Sequence, residues 1–216
     1  MVAETPNSAP TRAAGTVIAS GVSHDNFLSG FEGVRAEWVK GDVIEVAGVD
    51  EKHDALSGFL RILFSAYLEA AGGGRVVQEP VLMRILPDVT RMPDIQVLLP
   101  ASVERLRGKA VDGPADLVVE IVSPGSQRID RVEKYDEYER GGVGEYWIID
   151  PAFQEALFYQ RGADALFERI APDAQGVYAC NILPRLRLPV ALLWQDTLPG
   201  VREVVQMVDS MLSAGA

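Results

Sequence analysis

Residues 114–151 read PADLVVEIVSPGSQRIDRVEKYDEYERGGVGEYWIIDP. The run Asp116–Val122 is nearly continuous in apolar residues, which marks a strand covered on both faces, as in a parallel or mixed sheet. A Ser-Pro-Gly turn follows. Ile129, Val132, Tyr135 and Tyr138 then recur every three residues, and the spacing predicts a helix over 129–140, stopped by Gly141 and Gly142. Glu145–Asp150 is a second apolar strand, closed by Pro151. Strand, helix and strand in this order give an α/β fold.

The flanking sequence agrees with this centre. Leu56, Phe59, Leu60, Leu63, Phe64, Tyr67 and Leu68 fall at three- and four-residue steps, so a helix over 53–71 buries one face. Asp50 suits its N-cap, and Gly72–Gly74 ends it. Upstream, 35–39 and 43–46 flank Lys-Gly-Asp and read as an N-terminal β-hairpin. Further strands are expected at 76–79, 81–86, 95–99, 156–160 and 166–170. Residues 1–25 are rich in Ala, Ser, Thr, Pro and Gly and read as a mobile tail, with a short strand at 16–19 the one element in it. His24, at the end of that tail, reads as solvated. The main domain is expected over 26–196, and 197–216 form a C-terminal amphipathic helix. Its face of Val201, Val204, Val205, Val208, Met211 and Leu212 must pack on the sheet or on a second subunit, and a homodimer is expected.

Composition narrows the chemistry. The 216 residues carry a net charge of −11, and 48% are hydrophobic. An acidic chain does not hold nucleic acid by charge alone. One cysteine, Cys180, and two histidines, His24 and His53, leave no multi-cysteine or histidine-rich metal site. A metal would be held by carboxylate oxygens, which favours Mg²⁺ or Mn²⁺. No stretch approaches the ~20 apolar residues of a membrane span. No basic segment leads into an apolar one at the N-terminus, so a cytoplasmic protein is expected.

Two acids stand out. Glu120 lies inside the apolar strand, and Asp94 opens a strand directly after Pro93. A buried carboxylate without a partner is costly, so Glu120 faces a polar cleft, a cation or an arginine that braces the core. On neighbouring strands the two acids would sit side by side and repel each other unless a divalent cation lies between them. Lys134, on the flank of the predicted helix, has a stem long enough to reach them. It also stands four residues after Asp130, the spacing of an ordinary surface ion pair.

These residues carry a resemblance. PDIQVLL at 93–99 and the whole stretch 114–151 resemble the bacterial putative restriction endonuclease family with a PD-(D/E)xK nuclease core. Phe27, the segment 35–42 and His53 at the head of a helix add to the likeness, which spans roughly 27–195. The resemblance implies a restriction-endonuclease-like mixed β-sheet flanked by helices, with a divalent metal at one edge. Asp94 matches the first acidic position and Glu120 the second. In the wider group the lysine stands two residues after the second acid, where this chain has Val122. The family resembled here carries it on the following helix, which matches Lys134.

The implied activity is metal-dependent hydrolysis of nucleic-acid phosphodiesters. Asp94 and Glu120 would hold Mg²⁺ (or Mn²⁺), with the Ile121 carbonyl an extra ligand, and Lys134 would serve the attacking water. Three residues have two readings each. His53 faces the cleft or caps its helix. Glu37 adds a carboxylate or is an exposed or paired strand residue. Ser123 lacks a nucleophile elbow and reads as a turn hydroxyl. The competing function is a non-catalytic interaction protein that keeps the nuclease fold, a reading the acidic surface favours.

Overall fold

The computed structural model describes residues 15–46 and 48–213. In chain order the elements are β1 (Thr16–Ala19), α1 (His24–Gly30), β2 (Ala36–Val39), β3 (Asp42–Glu45) and α2 (Glu51–Ala70). Then come β4 (Arg75–Gln78), β5 (Leu82–Leu86), β6 (Val89–Arg91), β7 (Ile95–Leu98), β8 (Leu106–Arg107), β9 (Ala110–Asp112) and β10 (Leu117–Ile121). A π-turn (Ile129–Glu133) leads into α3 (Lys134–Gly141). The chain continues through β11 (Glu145–Asp150), β12 (Glu155–Arg161), β13 (Phe167–Arg169), β14 (Val177–Ala179) and β15 (Arg187–Pro189) to α4 (Val201–Ser213).

Two large sheets face each other. One has the order β13-β12-β11-β10-β7-β4, and the other β1-β3-β2-β6-β5-β9-β8; β14 and β15 pair separately. In the first sheet β10 and β11 run parallel while their outer neighbours are antiparallel, so the sheet is mixed as expected. Alternation along β10 explains its apolar sequence. Leu117, Val119 and Ile121 pack with Leu60, Leu63 and Phe64 of α2, and Val118 faces Met83, Val89 and Val111 of the second sheet. Glu120 shares the face of Val118 and so points between the sheets.

The hairpin of β2 and β3 turns on Lys40 and Gly41, both at positive φ, the conformation a two-residue hairpin turn requires. Asp50 caps α2 by accepting from the His53 N–H. The strand expected at 16–19 is present as β1, and a helix the sequence reading lacks, α1, follows it. β1 pairs with β3, and α1 starts at His24, whose Nε2 lies 3.0 Å from Thr90 Oγ1 with the ring against Trp38. His24 is therefore anchored rather than solvated. The first 14 residues of the expected tail lie outside the described residues.

The C-terminal helix folds back onto α2, where Val204 and Val208 join the core. That contact buries Val204 and Val208 within one chain, while Val201 and Val205 of the same face stay 61% and 42% exposed. No helix among the described residues is long and apolar enough to cross a membrane.

Candidate active site

β7 and β10 are antiparallel with Ile95 opposite Val119, and this register carried one residue further sets Asp94 beside Glu120. Asp94 is held firmly. Its Oδ2 accepts from the Ile121 N–H at 2.6 Å, and its Oδ1 lies 3.1 Å from His53 Nε2. His53 thus faces the cleft. Burial works against its charge, but the hydrogen bond and the charge of Asp94 prevail and raise its pKa.

Glu120 is fully enclosed. Its Oε1 accepts from the Tyr138 hydroxyl at 2.6 Å, and its Oε2 lies 2.9 Å from Lys134 Nζ. Burial pushes its carboxyl well above the usual range. Lys134 opposes this, while the charges of Asp94 and Asp130 reinforce it.

Lys134 is only 7% exposed. Besides Glu120 it meets Asp130 Oδ1 at 3.2 Å and Glu37 Oε1 at 3.6 Å. The expected surface pair with Asp130 is therefore a buried contact, since Asp130 is itself 2% exposed. Burial disfavours the ammonium, yet Glu120, Glu37 and Asp130 outweigh it and hold the pKa well above the ordinary lysine value.

Glu37 is not an exposed strand residue. Its Oε2 accepts from Arg91 Nη1 at 2.7 Å and its Oε1 from the Met92 N–H at 3.1 Å. Burial raises its pKa, but Lys134, Arg91 and the Met92 N–H prevail and bring it down to about 2. Ser123 donates its N–H to Ser126 Oγ, and Ser126 Oγ lies 2.6 Å from Asp130 Oδ2. The turn hydroxyl is thus that of Ser126.

Glu37, His53, Asp94, Glu120, Ile121 and Lys134 line one cleft of about 60 Å³. The donor set fits a hydrated divalent cation. The buried carboxyl groups of Glu37, Asp94, Glu120, Asp130 and Glu137 outnumber the cationic side chains that face them, Arg91, Lys134 and His53. Among the described residues no three His, Cys, Asp or Glu side chains form a ready-made metal cage. Mg²⁺ is commonly bound by one or two carboxylates with several waters kept. Asp94 and Glu120 could hold such an ion, with the Ile121 carbonyl beside them.

The family model for Uma2, described as putative restriction endonuclease, matches residues 28–191. The chain belongs to the Uma2 family. Its fold is similar to the crystal structure of a putative nuclease belonging to DUF820 from Anabaena variabilis ATCC 29413. The TM-score is 0.62 at 21% identity, covering 74% of this chain and 89% of that one. No curated protein matches.

This Uma2 member brings together Asp94, Glu120, Lys134, His53 and Glu37 in one place. Sequence reasoning missed Arg91, Tyr138 as a partner of Glu120, and Glu137. Arg91 stands three residues before Asp94, on the strand preceding it, and an arginine so close to a Pro-Asp pair was the one local signal available.

Proposed function

We propose that the protein is a divalent-metal-dependent endonuclease that hydrolyses phosphodiester bonds of nucleic acid. The observation that carries this reading is Lys134 Nζ standing 2.9 Å from Glu120, in a cleft that Asp94 also lines. Asp94, Glu120 and the Ile121 carbonyl would hold Mg²⁺ or Mn²⁺. When bound, the ion polarises a phosphoryl oxygen and acidifies a water. His53 fixes the rotamer of Asp94, and Tyr138 fixes that of Glu120. Lys134 supplies fixed positive charge beside the reacting phosphate, in a site where burial keeps its field strong.

The test has two arms. Calorimetric titration with Mn²⁺ reads the site, and Asp94→Asn or Glu120→Gln should each weaken binding by on the order of tenfold or more, since each removes one of two anionic ligands. Incubation with supercoiled DNA, single-stranded DNA and RNA in Mg²⁺ or Mn²⁺ reads the reaction. Unchanged metal affinity in both variants would remove the assignment.

A second reading is favoured by the net charge of −11. In it the fold is kept as a non-catalytic interaction module. Metal binding without hydrolysis of any of the three nucleic acids would support it.

A further inference from the structure

Arg91 ends β6 and is 1% exposed, one of the largest fully buried side chains of the protein. Its guanidinium divides its donors between two carboxylates. Nε and Nη2 grip Glu137 of α3 at 2.6 and 2.8 Å, a bidentate fork, while Nη1 holds Glu37 of β2 at 2.7 Å. Glu133 lies a further 3.8 Å from Nη2. Pairing of Trp38 with Thr90 between β2 and β6, carried one residue on, sets Glu37 beside Arg91. The arginine therefore ties the second sheet to the helix that bears Lys134.

Glu37 has two cations near it, Arg91 at 2.7 Å and Lys134 at 3.6 Å. Lys134 in turn has carboxylates to choose from, Glu120 at 2.9 Å and Glu37 at 3.6 Å among them. Glu37 and Glu120 thus compete for one ammonium, and Arg91 biases the competition by satisfying Glu37. Glu137, one turn beyond Lys134, lets the same arginine set where α3 sits.

We propose that Arg91 is a positioning residue that neutralises Glu37 and thereby keeps Lys134 on Glu120. Here Lys134 is taken as the reaction's cation, so the proposal rests on the function proposed above. Without Arg91, Glu37 is an enclosed carboxylate whose nearest cation is Lys134, and the lysine moves to it. Glu120 then loses its ammonium. It becomes freer to take a metal ion, while the reacting phosphate loses its fixed charge. Metal affinity and hydrolysis move in opposite directions, which a loss of packing does not produce.

Two double variants separate these effects. Arg91→Met with Glu37→Gln removes one charge of each sign and eliminates the competitor. Arg91→Met with Glu137→Gln removes the same charges but leaves Glu37 ionised. Each keeps the net charge of the cluster but takes Arg91 from one remaining carboxylate, Glu137 in the first pair and Glu37 in the second, so circular dichroism and urea melts first establish that both fold. Crystal structures read the position of Lys134 directly. It should stay on Glu120 in the Glu37→Gln pair and lie on Glu37 in the Glu137→Gln pair.

Calorimetry with Mn²⁺ should show tighter binding in the Glu137→Gln pair than in the Glu37→Gln pair. The expected difference is roughly tenfold, within the range of coupling in a shared ionic network. Hydrolysis should be slower in the Glu137→Gln pair by a similar factor in kcat. Lys134 on Glu120 in both pairs, with equal Mn²⁺ affinity, overturns the proposal. Lys134 moving as expected while the native protein hydrolyses none of the three nucleic acids keeps the role of Arg91 and removes the nuclease reading.

Discussion

Lys134→Met should cost far more stability than a surface lysine would. The variant keeps an apolar stem of similar length and removes only the charge. Three carboxylates then lose their shared cation, at 2.9, 3.2 and 3.6 Å. Each contact near 3 Å represents roughly 5 kcal/mol of attraction at an effective dielectric of about 20. Most of that offsets the cost of burying the charges, and removing one partner of such a cluster typically destabilises by about 3–5 kcal/mol. For a chain of this size about 2–4 °C is lost per kcal/mol, which gives a melting temperature lower by roughly 6–20 °C. The sign of the pH dependence is set by the orphaned acids. Protonating Glu120 and Asp130, whose pKa values burial already raises, relieves the variant as pH falls. The difference from the unsubstituted protein should therefore shrink between pH 7 and pH 5. Urea denaturation at both pH values, without metal and with millimolar Mn²⁺, is the assay. Mn²⁺ should recover part of the loss by replacing the missing positive charge. A cost under ~1 kcal/mol that is the same at both pH values would equal that of an exposed pair and refute the buried-cluster argument.

Single residues elsewhere give further expected outcomes. Glu37 has its pKa lowered to about 2 from 4.5, so its contribution to stability is complete above pH 4.5 and is lost as pH falls towards 2. Glu37→Gln should flatten that part of the acid limb in urea melts from pH 2 to 6, and an unaltered limb would assign it elsewhere. Val208→Glu places a charge in the contact of α4 with α2 and should destabilise by several kcal/mol; a dimer by light scattering that survives with unaltered stability would mean this helix is neither core nor interface. Deletion through Gly21 removes β1 from its pairing with β3 and should lower the melting temperature measurably, whereas a loss of less than a degree would make that strand dispensable.

Long apolar runs and helical periodicity were legible because each is a local pattern. β10, β11 and α2 lie within a residue or two of the expected ranges. Lys134 was harder, for a geometric reason. The reading of 129–140 assumed about 100° per residue throughout, but Ile129–Glu133 is a π-turn, which adds a residue to the turn and shifts the phase of the helix beyond it. Val132, counted on the apolar face, is 57% exposed, while Asp130 and Lys134 are buried together. The pairing of Arg91 with Glu137 is hidden for another reason. Their contact spans 46 positions, and nothing local to either residue signals the other. Short strands such as β6, β8 and β9 carry too few residues for any period to show.

Glu145 shows how far an acid inside an apolar strand can be trusted as a sign of a site. It opens EYWIID much as Glu120 sits in LVVEI, and it is 0% exposed. Its Oε1 accepts from Trp147 Nε1 at 2.7 Å and the Tyr178 hydroxyl at 2.5 Å. Its Oε2 accepts from the N–H groups of Asn181 and Ile182 at 2.9 and 3.0 Å, with Cys180 Sγ at 3.4 Å. These are neutral donors converging from the strand's own Trp147 and from residues 178–182, and together they close the carboxylate off. Glu145 therefore pins that segment to the sheet and has no lone pair facing a cleft. Glu120 has two donors, one of them an ammonium shared with other acids, and it lines a small cleft beside a second carboxylate. Both residues are acids in apolar strands; their partners separate them. Glu145→Gln turns an amide N–H₂ against N–H and O–H donors and should cost about 1–3 kcal/mol or more, by the scale of an unsatisfied buried polar group. Mn²⁺ affinity should not change in that variant. A calorimetric loss of Mn²⁺ binding there, with the fold intact by circular dichroism, would mean that counting donors around a buried acid does not distinguish a brace from a ligand.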